Sequence, residues 1–195
     1  MPLATSLRQK ESMNNDPPTI ETARLILRPP IQSDFVSWSA LMADKHAARF
    51  IGGPQPASIA WRGMATMAGS WALKEFGMFS VIERETGRWI GRVGPWQPEG
   101  WPGPEIGYGL IQDAWGKGYA YEGASASIDW AVDHLGWDEF IHIINPENAA
   151  SIKLARKLGS ADRGPGRVPP PWENDVVNIW GQTATGWRRH RAAKT

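Results

Sequence analysis

The chain contains no cysteine. That removes disulfides, thiolate metal sites and a cysteine acyl-enzyme together, and it leads us to expect a cytoplasmic protein. A charge excess is also lacking. The 21 basic side chains stand against 20 acidic ones, for a formal net charge of +1. Bulk charge therefore draws the protein neither to nucleic acid nor to an anionic membrane, and neither partner is expected. No apolar run approaches the ~18 residues of a membrane span. The stretch from Met1 to Asp16 is polar and lacks the apolar segment of a signal peptide. No His/Asp/Glu cluster has metal-ligand spacing, so no metal is expected, and no G-x-S-x-G elbow is present.

What is abundant is tryptophan, with twelve in 195 residues. Most such side chains pack cores or anchor surfaces, and some line apolar substrate pockets. The length suits one domain, expected over residues 19–186. Residues 1–18 read as a flexible tail, and residues 187–195, with Arg188, Arg189, His190 and Arg191, as a basic tail that frays.

Hydrophobic periodicity gives an order of elements. From Ile20 to Arg28, Ala23, Leu25 and Leu27 alternate with Thr22, Arg24 and Arg28, which predicts one strand ended by Pro29 and Pro30. Ser33 and Asp34 offer N-cap chemistry for a helix to about Asp44, and Ser58 for a second from Ile59 to Glu75. Phe79 to Glu83 and Trp89 to Trp96 read as a hairpin, followed by a Pro- and Gly-rich loop from Gln97 to Pro104. Glu105 to Ile111 is a strand, Ala120 to His134 a helix closed by Gly136, and Glu139 to Ile144 a strand. Asn148 caps a helix to Leu158, and a last strand runs from Val176 to Trp180. The order β, α, α, β, β, β, α, β, α, β describes a mixed sheet with helices on its faces.

The segment Trp115-Gly116-Lys117-Gly118-Tyr119-Ala120 lies between a strand and a long helix. A helix N-terminus offers unpaired N–H groups and the positive end of a dipole. Glycines let backbone approach a ligand closely. The combination suits phosphate or pyrophosphate. It is not a Walker loop, because Gly118 rather than Ser or Thr follows Lys117, and Ile111 stands where the first glycine belongs. A dinucleotide fingerprint would need a third glycine where Tyr121 stands.

These residues resemble the GNAT superfamily of N-acetyltransferases, whose loop reads Q/R-x-x-G-x-G/A. Gly118 and Ala120 match its last two positions, and Trp115 stands where Gln or Arg is usual. The branch that acetylates ribosomal-protein N-termini looks most similar. It carries Trp-Gly-Lys-Gly-Tyr-Ala at this place, a strand like Glu105-Ile106-Gly107-Tyr108-Gly109-Leu110, and an Asn-x-x-Ser segment like Asn148 to Ser151. The opening stretch Thr22 to Arg28 is similar too.

The resemblance implies an α/β (α+β) fold with a mixed, mostly antiparallel central sheet of about six to seven strands and helices on both faces. It implies acetyl-CoA as co-substrate, with Trp115, Gly116, Lys117, Gly118, Tyr119 and Ala120 at the pyrophosphate and the backbone of Leu110 and Ile111 at the pantetheine. Asn148 and Ser151 face the cofactor. Glu105 is the candidate base, on one strand face with Gly107 and Gly109. The tyrosine that many members use to protonate the leaving thiolate is absent: its position is Ala155, and no tyrosine follows Tyr121. Ser151 or a water takes that role, or nothing does. The acceptor is an amine-bearing small molecule or a protein N-terminus, with Trp96, Trp101 and the Gln97 to Pro104 loop beside it. A homodimer is a further implication that no feature of the sequence demands. The competing readings are a coenzyme A-binding sensor without catalysis and a dinucleotide-binding oxidoreductase. His142, in a predicted strand, reads as a packed histidine with its hydrogen bonds made.

Overall fold

In a computed structural model, which describes residues 18–194, eight strands form one sheet in the order β1-β2-β3-β4-β5-β6-β8-β7. They are β1 (Ile20–Glu21), β2 (Leu25–Arg28), β3 (Phe79–Glu83), β4 (Trp89–Trp96), β5 (Glu105–Leu110), β6 (Glu139–Ile144), β7 (Ala161–Gly166) and β8 (Val177–Thr183). The helices are α1 (Phe35–Ala43), α2 (Ala57–Lys74), α3 (Tyr119–His134), α4 (Ala149–Lys157) and α5 (Ala184–Ala192). Among the described residues, β5 and β6 form the one parallel pair and all other neighbours run antiparallel. The sheet is mixed and mostly antiparallel with helices on both faces, as expected.

Two cores follow from the two faces. On one, Ala124, Ile128 and Ala131 of α3 pack against Leu25, Leu27, Val81 and Val93. A Cβ on Gly123 would stand 3.2 Å from Val93 Cγ1, so this helix rides close on the strands. On the other, Trp38, Leu41 and Met42 of α1 and Met64 and Met67 of α2 cover Ile82, Trp89 and Trp96. Strand β3 is therefore buried at all five positions. The start of α1 is pinned by Asp34, which accepts two bonds from Arg28 (2.7 and 2.8 Å), one from Ser80 Oγ (2.7 Å) and one from Ile31 N (3.0 Å). Burial alone would raise this carboxyl; the hydrogen bonds and the Arg28 charge outweigh it and hold Asp34 below the usual carboxylate range.

Several boundaries differ from the sequence expectation. The stretch from Ile20 to Arg28 is not one strand. Thr22 N donates to Leu25 O and Leu25 N donates to Thr22 Oγ1, each at 2.9 Å, and the resulting turn folds β1 back onto β2. Helix α2 is entered through Pro56 rather than capped by Ser58, which lies inside it. Strand β7 was not anticipated. Its sequence Ala-Asp-Arg-Gly-Pro-Gly has no alternation, and it pairs with β8 as an edge strand, irregular between Asp162 and Pro165. The sheet thus has eight strands where six to seven were expected. The stretch from Trp187 on does not fray as expected. Residues 187–192 of it belong to α5, which starts at a Thr183 side-chain cap and buries Trp187. The expected N-terminal tail lies outside the described residues.

Candidate active site

The parallel pair β5–β6 is in register at one position, Glu105 opposite Ile141. There Ile141 N donates to Pro104 O at 2.8 Å. Beyond that point side chains take over the groups of the ladder. Ile143 N donates to Glu105 Oε1 (3.4 Å), and His142 Nδ1 donates to Ile106 O (2.7 Å). The strands part from here, and a cleft of ≈ 1170 Å³ runs through the gap. Glu105, Trp101, Trp96, Trp38, Met67 and Met78 line one half of it. His142, Tyr108, Ser151, Leu154, Gly116 and Gly118 line the other.

Glu105 sits at the junction of the halves, 8% exposed. Burial pushes its carboxyl up to about 7. The Trp101 Nε1 bond (2.8 Å), the Ile143 amide and the Arg92 charge oppose that rise. A carboxylate with this pKa is half ionised at neutral pH and suits proton transfer. The carboxyl shares its face with two glycines. A Cβ on Gly107 would lie 2.2 Å from Met78 Cε, so any side chain there would push the flexible end of Met78 aside.

The glycine loop precedes α3. Gly116 (φ 72°) and Gly118 (φ 84°) both take left-handed backbone. Among the described residues, none of the backbone N–H groups of Gly116, Lys117, Gly118, Tyr119 and Ala120 donates to another protein group. Five unpaired donors at a helix N-terminus suit a pyrophosphate. The loop is held from outside by Arg24, which donates to Lys117 O (2.9 Å), pairs with Glu122 (2.6 Å) and covers the Tyr119 ring (4.6 Å). Tyr119 OH donates to Glu83 (2.7 Å). Arg24 was not singled out from the sequence, where it is simply one polar position of an alternating run.

The remaining expected residues divide. Trp115 lines the cleft, and its indole N–H donates to Leu110 O (2.8 Å). Leu110 lines it as well, whereas Ile111 and the Lys117 side chain do not, and Ile111 N donates to Ile90 O (3.0 Å). Asn148 borders the cleft and also caps α4, accepting from Ser151 N at 3.1 Å. Asn148→Ala is accordingly expected to cost about 1 kcal/mol of stability, the usual worth of such a cap, measured by thermal or urea unfolding. Ala155 is fully buried beside Ile144 and Trp180 and faces away from the cleft, while Ser151 and Leu154 face it. The structure brings a different phenol to this helix: Tyr108 OH donates to Ser151 O at 3.2 Å. Burial raises its pKa, so it is a neutral O–H.

His142 departs from the expectation of a histidine with its bonds made. Nδ1 has its partner, but Nε2 is buried without one. Burial lowers its pKa to about 4, so the ring is neutral and Nε2 is an unused acceptor on the cleft wall. Among the described residues no group of three or more His, Cys, Asp or Glu is placed to hold a metal ion. No described helix is long and apolar enough to cross a membrane.

A family model described as an acetyltransferase (GNAT) domain matches residues 24–161. A protein of Bacillus licheniformis named Uncharacterized N-acetyltransferase p20 is 37% identical over 87 residues. That segment is 44% of this chain and 49% of p20, so the chain spans about half the length of that relative. The crystal structure of an acetyltransferase from Agrobacterium tumefaciens superposes with a TM-score of 0.75 at 26% identity, covering 89% of this chain and 98% of that one. A ribosomal-protein-S5-alanine acetyltransferase from Vibrio fischeri shares the fold, with a TM-score of 0.68 at 18% identity over 87% of this chain and 98% of its own.

Proposed function

The chain belongs to the GNAT acetyltransferase family, and from that premise we propose that it transfers an acetyl group from acetyl-CoA directly onto a primary amine of a small molecule or protein N-terminus. The observation that carries the reading is Glu105, buried where β5 and β6 part, with its pKa near 7. Acetyl-CoA, when bound, supplies the activated acyl carbon.

The chain's own part is positioning and proton transfer. The N–H groups of Gly116, Lys117, Gly118, Tyr119 and Ala120 receive the pyrophosphate. The gap between β5 and β6 admits an extended arm along a strand edge. Glu105 takes a proton from the ammonium form of the acceptor, because the nitrogen must regain its lone pair before it attacks. The Ser151 hydroxyl and the neutral Tyr108 phenol stand on the cofactor side of the gap, where O–H donors steady a developing thiolate.

Titration calorimetry with acetyl-CoA tests the cofactor half. Wild type is expected to bind, and Gly118→Trp to bind at least about tenfold more weakly, because the indole blocks the backbone's approach to an anion. A Cβ at Gly118 already stands 3.4 Å from Arg24 Nη2, so circular dichroism must show the variant folded. Failure of wild type to bind acetyl-CoA would sink the proposal. Binding without thiol release against any primary amine would turn the reading into a coenzyme A-binding sensor, which the absence of a tyrosine at Ala155 favours.

A further inference from the structure

The acceptor half of the cleft holds a cation that acetyl transfer does not use. Arg92 lies in β4 opposite Gly109, and Trp96 of the same strand lies opposite Glu105. Opposed residues share a face and alternate residues repeat it, so Arg92 and Glu105 rise from the same side of the sheet. Four residues of strand separate them, roughly 13 Å along the backbone. The intervening pair on that face is Gly94 and Gly107. No side chain grows from the strands between the carboxylate and the guanidinium.

Among the described arginines without a carboxylate partner, Arg92 is the one that is not exposed. Eight arginines, most of them exposed, each hold a carboxylate within 3.5 Å. Arg92 is half-buried and makes no ion pair and no hydrogen bond among the described residues, and its Nε is buried without a partner. The ring of Trp38 lies 5.0 Å from the guanidinium. Burial lowers its pKa to about 10, with the Glu105 charge opposing, and at neutral pH it remains a cation. Glu105 does not neutralise it by contact, since that carboxyl is bonded to Trp101 and Ile143.

A guanidinium whose Nε is buried without an acceptor carries a deficit. A carboxylate matches it in charge and in its planar, two-pronged geometry. We propose that Arg92 receives a carboxylate of the acceptor, so that the substrate is an amine that also bears a carboxylate and an apolar body, the chemistry of a hydrophobic amino acid. The apolar body is required by Trp38, Met42, Met67, Trp96 and Trp101, which line this half. A polyamine or aminoglycoside would set a second positive charge against Arg92. The inference rests on the acetyl-transfer reading for the assignment of the amine to Glu105, but not for the carboxylate site itself.

Two measurements separate those claims. The first is calorimetric binding of 3-phenylpropionate and of its neutral analogue 3-phenylpropanol, neither of which can be acetylated on nitrogen. Wild type is expected to bind the acid about 10–100-fold more tightly than the alcohol, the worth of one charge-assisted pair. Arg92→Met is expected to lose that preference and Arg92→Lys to keep part of it. Unfolding curves and acetyl-CoA binding establish that both variants are folded. The second is thiol release with phenylalanine against phenethylamine, where the ratio of kcat/KM is expected to fall by a similar factor in Arg92→Met. Equal binding of acid and alcohol by wild type, or an undiminished preference in Arg92→Met, overturns the proposal. An intact acid preference with no turnover of any amine overturns the transferase reading and leaves the carboxylate site standing.

Discussion

Replacing Glu105 by glutamine is expected to lower kcat for acetyl transfer by about 10²–10⁴-fold, the contribution of one positioned base, while acetyl-CoA affinity stays close to wild type. Glutamine keeps the shape and still accepts from Trp101 Nε1, so the loss isolates the proton. The wild-type rate should rise with pH through an apparent pKa near 7, because the buried carboxyl must ionise before it acts. The variant should lack that rise. The same residue makes a stability prediction of opposite sense. Burial lifts its pKa from 4.5 to about 7, so the folded chain holds this proton more tightly than the unfolded chain. Stability from the group is complete below about pH 4.5 and is lost as pH climbs through about 7, a loss of ~3 kcal/mol for the whole shift. Glutamine has no proton to lose. Relative to wild type, Glu105→Gln should therefore gain in Tm between about pH 5 and 8 while losing its rate. Thiol-release kinetics and thermal unfolding on the same two proteins check both signs. Wild-type kcat with an intact pH rise in the variant would remove Glu105 from the reaction.

The features of the site that were legible in the sequence are those whose chemistry is local. Gly116 and Gly118 mark left-handed backbone ahead of a helix, and a glycine pair followed by a helical stripe announces that in any fold. Asn148 caps α4 through a residue three positions on, which spacing alone suggests. Alternation placed Glu105 on one face with Gly107 and Gly109. Residues defined by pairing across the sheet were not legible. Arg92 becomes part of the cleft only because β4 and β5 align it with Gly109, and Trp38 reaches it from a helix some 50 residues away in the chain. Arg24 reads as an ordinary outward strand position until β2 sets it beside the loop after β5. The same limit explains the elements. Central strands β3 and β4 are buried at nearly every position, carry bulky apolar residues at their starts and flank the turn Glu85 to Arg88, which marks them as a hairpin at their observed bounds. Strand β7 has no such run, because it is an edge strand, exposed at most positions, that adapts to β8 around Pro165.

Trp187→Ala is expected to cost about 3–5 kcal/mol, the usual loss for a large buried aromatic, out of a total stability of about 5–15 kcal/mol. The basic run that follows Trp187 suggests a solvated tail, but the indole is only 1% exposed. It meets the Phe140 ring edge-on at 6.2 Å, and its N–H donates to Asp129 of α3 at 2.7 Å. The neighbouring Arg191 also pairs with Asp129, at 2.8 Å. Both partners of that ion pair are more than a third exposed, and such pairs contribute about 0–1 kcal/mol. Arg191→Ala should thus cost far less than Trp187→Ala, which separates apolar burial from charge as what holds α5 in place. The effect reaches the cleft through β6: Phe140 also packs edge-on against His142 at 5.7 Å, and His142 holds Ile106 O where the strands part. Losing the indole should therefore loosen the β6 wall, so that acetyl-CoA affinity falls along with stability, as urea unfolding and calorimetry on one preparation would register. A chain ended at residue 186 should suffer at least as much as Trp187→Ala, because it loses the same burial and the helix that carries it. Small and equal losses for Trp187→Ala and Arg191→Ala would return residues 187–194 to the status of a solvated tail and make residue 186 a serviceable end for the domain.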